Sequence, residues 1–351
     1  MNDASEFPAQ LRIQALTSIH DIEASIWDGL SGEQPFQSHR WYAFGERVMS
    51  DCRPVYLLAY DHDTLVARAC LWLVRNEALP PNLPDFFKKI LSALINRWPL
   101  LICRSPLANC SGLRLPHGER RTATLLGLAR SALASGRQLG ASILLFDFLN
   151  RTETEGWPPG FVRTNLPSPG TAMENRWQSM EEYLAQAGKS QRQHYKRSLR
   201  EAEKLGIELS SSRTVPDVDA ALKLIRNVET RHGSTPNPWT QSLLENIELI
   251  GGKWLEARIG HKLVGCGLIL EDNRTQMTTA LGLEKDARYA YFRLVYASLE
   301  DAFERNVRWL RWGTGAYEVK ERLGFQLEQD NFVIFSGINR LTNLMIRLAP
   351  I

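Results

Sequence analysis

The sequence predicts an α/β chain, in its finer form α+β, built as two similar halves. Three observations carry that prediction. At 351 residues the chain exceeds what one hydrophobic core commonly organises, and two domains of roughly 150 residues are expected. Strand and helix patterns alternate along the chain rather than falling into separate blocks. A hairpin in the first half also recurs in the second with the same spacing: Ala59 stands six residues before Leu65, and Ala257 six before Leu263. Equal spacing matters because a slip of one residue turns every side chain of a strand to the opposite face.

The elements follow in order. Residues 11–16 alternate as a strand, and helical apolar spacing covers 22–30 and 41–49. Residues 54–60 and 64–74 flank the polar turn Asp61-His62-Asp63 as a hairpin. Residues 80–100 read as an insertion, in which Phe87, Ile90, Leu91, Leu94, Ile95 and Trp98 form a helical apolar stripe with Lys88, Lys89 and Arg97 beside it. Those charges and Pro99 exclude a comfortable membrane span; a packed lid and an interfacial membrane helix are the two readings. Residues 100–104 resume the sheet, 123–135 form a helix and 142–149 an apolar strand.

Prolines and glycines between Trp157 and Gly170 interrupt all periodicity and mark the boundary, giving domains of 1–170 and 171–351. A helix over 177–204 leads into a second half of the same plan. Residues 206–213 form a strand, 218–230 and 238–249 helices, and 254–259 with 263–271 a hairpin across Gly260-His261-Lys262. A strand over 276–283, a helix over 290–305 and a strand over 307–312 come next. A short helix over 316–323 and a strand over 331–335 complete the second half.

Composition is that of an ordinary globular protein, with 44% hydrophobic and 23% charged residues, which excludes a disordered or collagen-like chain. A net charge of +3 does not by itself argue for a nucleic-acid binder. The five cysteines form no CxxC pair, there is no HExxH, and neither a disulfide framework nor a metal site is expected. MNDASEFPAQ has acidic residues and no apolar core segment, so export is not expected and the cytoplasm is the expected compartment, with membrane association through the 86–98 stripe as its extension.

Three stretches carry chemistry. Gly313 and Gly315 loosen the chain between a strand and a short helix, in a turn that presents Tyr317, Glu318 and Lys320 together. Lys189, Arg192, Lys196 and Arg200 lie three, four and four residues apart, one stripe on a helix, suited to track the phosphates of tRNA, a nucleotide-sugar or a lipid headgroup; a merely solvated helix is the other reading. His232 lies in the loop between the first two helices of the second half.

The element order of the second half resembles the GNAT acyltransferase fold, and the duplication resembles the tandem plan of FemABX-like and CelD-like transferases. The stretch from Gly188 to Gly206 is similar to the basic helix that opens their second domain, and Ala280-Leu-Gly-Leu with Tyr291-Phe-Arg-Leu-Val-Tyr296 to its central strand and helix. Tyr317-Glu-Val-Lys-Glu-Arg-Leu-Gly324 is similar to their Tyr-x-aromatic-Lys-x-x-Phe-Gly turn, with Val319 in place of the aromatic residue. The resemblance implies two tandem GNAT-like domains, each a mixed, mostly antiparallel sheet flanked by helices, and an acyl or aminoacyl group moved onto an amine acceptor in envelope or specialised-metabolite biosynthesis. It implies Lys320, exposed at the helix start, as the stabiliser of the developing oxyanion or of a carboxylate, Tyr317 as orienting or proton-donating, and Glu318 as a general base. Arg192, Lys196, Arg200, His232, Tyr291 and Tyr296 become the substrate-binding set. GNAT enzymes that use acetyl-CoA usually carry Arg/Gln-x-x-Gly-x-Gly/Ala at the corresponding helix start; here Leu283 to Tyr291 contains no glycine, so acyl-CoA and aminoacyl-tRNA both stand as donors. A non-catalytic tandem-GNAT protein binding an envelope precursor or nucleic acid is the alternative.

Overall fold

The computed structural model describes residues 11–79, 83–165, 168–328, 331–339, 342–344 and 346. The N-terminal decapeptide read for an export signal lies outside them. Within the described residues the chain divides into two units. One takes 11–76, 91–165, 331–339, 342–344 and 346, the other 77–79, 83–90 and 168–328.

The first half opens with β1 (Arg12–Leu16), α1 (Ala24–Ser31), α2 (His39–Val48) and the hairpin β2 (Arg53–Asp61) and β3 (Thr64–Val74). It continues through α3 (Asp85–Arg97), β4 (Leu100–Cys103), β5 (Leu113–Arg114), α4 (Arg120–Gln138), β6 (Ile143–Leu149) and β7 (Val162–Asn165). Leu57, Leu71, Leu128 and Phe146 lie in the core where α4 covers the sheet.

The second half runs β8 (Thr171–Glu174), α5 (Met180–Gln186), α6 (Lys189–Lys204), β9 (Ile207–Ser212), α7 (Val218–Arg231) and α8 (Thr240–Glu245). Next come the meander β10 (Lys253–Ile259), β11 (Lys262–Asp272) and β12 (Thr275–Leu283), then α9 (Arg288–Glu304), β13 (Trp309–Trp312), α10 (Tyr317–Arg322), β14 (Gln326–Leu327) and β15 (Phe332–Gly337). The helix expected over 177–204 is two helices. Gly188 is extended and serves as the N-cap of α6, a place where glycine's low helix propensity favours a break. Ser179 caps α5 through Glu182 N–H, and Asp217 caps α7 through Ala220 N–H. α9 is buried on several sides, as its apolar residues all around predict: Ala290 and Leu294 face one core cluster, Phe292, Leu299 and Phe303 another.

The repeated hairpin spacing is realised in the register. Ala59 pairs with Ala67 and Tyr60 with Leu65, a bulge that skips Val66; Ala257 pairs with Gly265 and Arg258 with Leu263, a bulge that skips Val264. The extra residue falls at the same place in both copies, which a chance similarity of hairpins would not require.

The strand order departs from a simple tandem. The first sheet runs β1-β2-β3-β4-β6-β15-β7 with β5 on β3, and the second runs β14-β8-β13-β12-β11-β10-β9. In each sheet all neighbours are antiparallel except one pair, β4 with β6 and β12 with β13. β8 follows β7 in sequence yet lies in the second sheet, and β15 follows β14 yet lies in the first. The units have traded their closing strands. The strand expected to finish the second half therefore belongs to the first, and a division of the chain at residue 170 misplaces it. The start of the 80–100 insertion also groups with the second unit, where Leu79 N–H donates to Thr235 Oγ1 at 2.7 Å and Lys88 Nζ to the Gly233 carbonyl at 2.6 Å.

Gly282 on β12 shows how tightly α7 sits on the second sheet. A Cβ there would lie 2.6 Å from Cys266 Sγ, 2.8 Å from the Ile225 backbone nitrogen and 2.8 Å from Leu224 Cβ. Since one of these atoms is helix backbone, Gly282→Val is expected to destabilise the protein by about 1–3 kcal/mol through overpacking. Chemical denaturation measures it; an unchanged midpoint would show that α7 shifts freely.

Candidate active site

The parallel pair β12 and β13 sets the site. Hydrogen-bonded register runs from Thr275↔Trp309 to Thr278↔Trp312, where β13 ends. β12 continues to Leu283, so its last five residues, 279–283, pair with β11 on one side and with no strand on the other among the described residues. Ala280 sits there with φ +49°, at a bulge against β11. The chain after Trp312 turns through Gly313, Thr314, Gly315 with φ +80° and Ala316 with φ +48° before α10 begins. A left-handed alanine costs about 1 kcal/mol or more, and such strain persists only where the surroundings fix it.

What fixes it is visible in α10. Ala316 accepts from the N–H groups of Val319 and Lys320 at 3.1 and 3.2 Å. Lys320 Nζ folds back over the turn and donates to the carbonyls of Gly313 and Thr314. Its residue is only 7% exposed, which corrects the exposed lysine that the sequence suggests. The left-handed residues reverse the chain, so that a side chain at the helix start lies over the carbonyls just before it. Burial lowers the ammonium's pKa to about 8, and the two carbonyl acceptors work against that lowering. Its third N–H has no acceptor among the described residues.

The other residues of the turn are placed differently. The Tyr317 hydroxyl donates to the Pro169 carbonyl at 2.9 Å, which ties the start of α10 to the segment just before β8. Glu318 is exposed, with its carboxylate 3.6 Å from the Arg322 guanidinium. Tyr317 and Lys320 thus meet in one turn, the ammonium 5.9 Å from the tyrosine ring, while Glu318 faces outward.

The basic stripe is on the surface, as its spacing predicts: Lys189, Arg192, Lys196 and Arg200 are all exposed on α6. Arg192 reaches back to the Ala187 carbonyl, and Arg200 and Lys204 share Glu201. His232 is exposed at the C-terminal end of α7. One residue earlier, Arg231 reaches the Glu284 carbonyl just past the end of β12, so this loop borders the β12 end of the site. Tyr291 and Tyr296, the other two residues expected in the substrate-binding set, lie on α9. Tyr296 is buried and Tyr291 is packed half-buried against Phe292, because their helix is surrounded by core.

Sequence reasoning missed His194. It occupies the inner face of the basic helix, its Nδ1 2.8 Å from the Tyr296 hydroxyl and its ring 4.4 Å from that of Phe292. Burial lowers its pKa, helped by the charges of Arg197, Arg288 and Arg322. The available signal was spacing: His194, Ser198 and Ala202 repeat every four residues opposite the charged stripe, and the last two are buried.

The start of α9 does not fit a coenzyme A pyrophosphate cradle. Its N-cap is Ala287 without a side-chain bond, and no glycine lets a phosphate approach the backbone; the carboxylates of Glu284 and Asp286 are matched in the same turn by Lys285 and Arg288.

Residues 189–321 match the family described as Acetyltransferase (GNAT) domain. No curated protein matches the chain. Among solved structures, a tandem GNAT protein from the clavulanic acid biosynthesis pathway shares 12% identity over 94% of this chain and 99% of its own, with a TM-score of 0.53. FemX shares 10% over 91% and 96%, with a TM-score of 0.59. The C-terminal domain of a putative lysylphosphatidylglycerol synthetase from Agrobacterium fabrum shares 9% over 94% and 96%, with a TM-score of 0.51. At these identities the likeness is one of fold. Residues 189–321 thus resemble a GNAT domain, and the chain as a whole has the fold of these tandem GNAT structures.

Proposed function

We propose that the protein is an N-acyltransferase that moves an acyl or aminoacyl group onto an amine of an envelope or specialised-metabolite precursor, with the chemistry in the second unit beside the free edge of β12. The observation that carries this reading is the contrast between the two parallel splits. In the first unit pairing of β4 with β6 ends at Cys103↔Phe146, and the next residue pair faces across the gap as an ion pair, Arg104 with Asp147 at 3.9 Å, both side chains largely buried. In the second unit the same position has Thr279 and Gly313, and among the described residues no strand pairs with that edge of β12.

An extended acyl donor can lie along that edge by backbone hydrogen bonding, as a strand would. The acceptor nitrogen then attacks the donor carbonyl carbon. A C–N bond forms, the C–O or C–S bond of the donor breaks, and the leaving group takes the electron pair and a proton while the amine loses one. Negative charge grows on the carbonyl oxygen in between. Lys320, with two N–H groups holding the 313–314 carbonyls, has one left to donate to that oxygen, and the ammonium is poorly solvated, which strengthens the interaction. Tyr317 acts through position, by anchoring the turn. His232 borders the acceptor side.

The donor best supported is aminoacyl-tRNA. The α9 start lacks a pyrophosphate cradle, and the exposed stripe on α6 offers cations spaced for a phosphate backbone. The match to a GNAT acetyltransferase domain favours acyl-CoA as a second reading. Incubating the protein with a labelled aminoacyl-tRNA pool or an acyl-CoA pool and a nucleotide-linked precursor bearing a free amine, with mass detection of the amide, separates them. Saturable binding with no amide from either donor would leave a binding protein and overturn the catalytic reading.

A variant with Arg192, Lys196 and Arg200 all changed to Gln is expected to bind tRNA more weakly and to lose roughly two units of slope in log affinity against log salt, since each phosphate contact contributes about 0.7–0.9. Filter binding across a salt series measures it, and an unchanged slope would remove α6 from the interface.

A further inference from the structure

We infer that α3 seats the protein in the surface of an anionic lipid bilayer. Phe86 is 68% exposed, Phe87 58% and Trp98 53%, with Ile90, Leu91 and Leu94 also exposed. At about 100° per residue these six positions span an arc of roughly 140° on one helix. The two α3 residues that are buried, Lys88 and Ile95, lie together at one edge of the arc, where Lys88 is held by the Gly233 carbonyl. The Phe86 and Phe87 rings touch each other at 5.8 Å. The helix is fixed along one edge and uncovered along its apolar side.

Charge selects the occupant. The only acid on α3, Asp85, lies 3.5 Å from Lys88, whereas Lys89 is exposed about 60° beyond the Phe86 edge of the apolar arc and Arg97 is exposed just inside that same edge. An apolar stripe with aromatic residues at both ends and long cationic side chains beside it matches the boundary between acyl chains and anionic headgroups, where lysine and arginine stems lie along the apolar layer and their charges reach phosphate. α3 has 13 residues, and no helix among the described residues is long and apolar enough to cross a membrane, so the helix lies in the plane of the surface. This inference stands apart from the acyl-transfer reading and brings the protein to where lipid-linked precursors are.

Co-sedimentation of the full chain with vesicles of phosphatidylcholine, with and without phosphatidylglycerol, tests it. Binding is expected to the mixed vesicles and to be weaker by about tenfold or more on phosphatidylcholine alone. Phe86→Ser, Phe87→Ser and Leu94→Ser combined are expected to reduce binding to mixed vesicles by about tenfold or more, with the far-UV circular dichroism spectrum unchanged because all three are exposed. Lys89→Gln with Arg97→Gln is expected to remove most of the preference for phosphatidylglycerol. Absence of binding to mixed vesicles, or full binding by the serine variant, would overturn the inference. So would a serine variant that binds vesicles normally but loses self-association in ultracentrifugation, since the face would then cover a second copy.

Discussion

Lys320→Met is expected to lower the single-turnover rate of acyl transfer by about 10²–10³-fold, the typical loss on removing one donor to a developing oxyanion, while donor and acceptor dissociation constants change little. An interaction that strengthens only as charge develops appears in the chemical step and not in binding. Stability separates this role from simple support of the turn. The substitution leaves the Gly313 and Thr314 carbonyls without their donor and also removes a poorly solvated charge, two effects that oppose each other at neutral pH. The pH dependence is opposite in sign to that of a lysine whose pKa is raised by a partner. Lys320 titrates at about 8 in the folded protein against an ordinary 10.5, so between those values the unfolded chain holds a proton that the folded one has released. Stability of the native protein should therefore rise from pH 8 to 10.5 relative to Lys320→Met, by at most about 3 kcal/mol. Denaturation of both proteins across that range checks it. A variant with full single-turnover rate would remove Lys320 from the mechanism.

Ending the chain at residue 329 is expected to abolish cooperative folding of the first unit while the second keeps its complete set of strands. β15 lies between β6 and β7, pairing Phe332 with Leu149 on one side and with Asn165 on the other. Phe332, Val333, Ile334 and Ile338 are buried, and each such side chain contributes about 1.5–3 kcal/mol, a sum comparable to the whole stability of a domain. Two strand edges would also be left without partners. Hydrogen exchange reads the outcome directly: amides of β6 should lose protection and those of β11 should keep theirs. Protected β6 amides in the shortened chain would mean that the sheet closes without β15.

What could be read from sequence was what is written locally. The hairpins, their equal spacing and the exposure of the α6 stripe follow from period and spacing over a few residues, while the bulge shared by the two hairpins shows only in their register. Strand destination is not local. Residues 331–335 are plainly an apolar strand, but nothing in them distinguishes β6 as a partner from β13. The contact of His194 with Tyr296 spans 102 residues and was hidden inside a run that reads as charge. Lys320 was recognised by its motif and misplaced in its environment, because its burial depends on the backbone sign of Ala316, a residue with no intrinsic preference for a left-handed turn.

The traded strands have the form of a domain swap. Two copies of a single GNAT unit that exchanged their last strands would have this connectivity, and here the two copies share one chain. Such a dimer would come apart on dilution, whereas tethering gives each closing strand a fixed local concentration around its sheet and makes the exchange independent of how much protein is present. Fusion also ends the symmetry that identical subunits must obey. A substitution in one copy is no longer repeated in the other, and Arg104 with Asp147 can occupy one split while Thr279 and Gly313 leave its counterpart open.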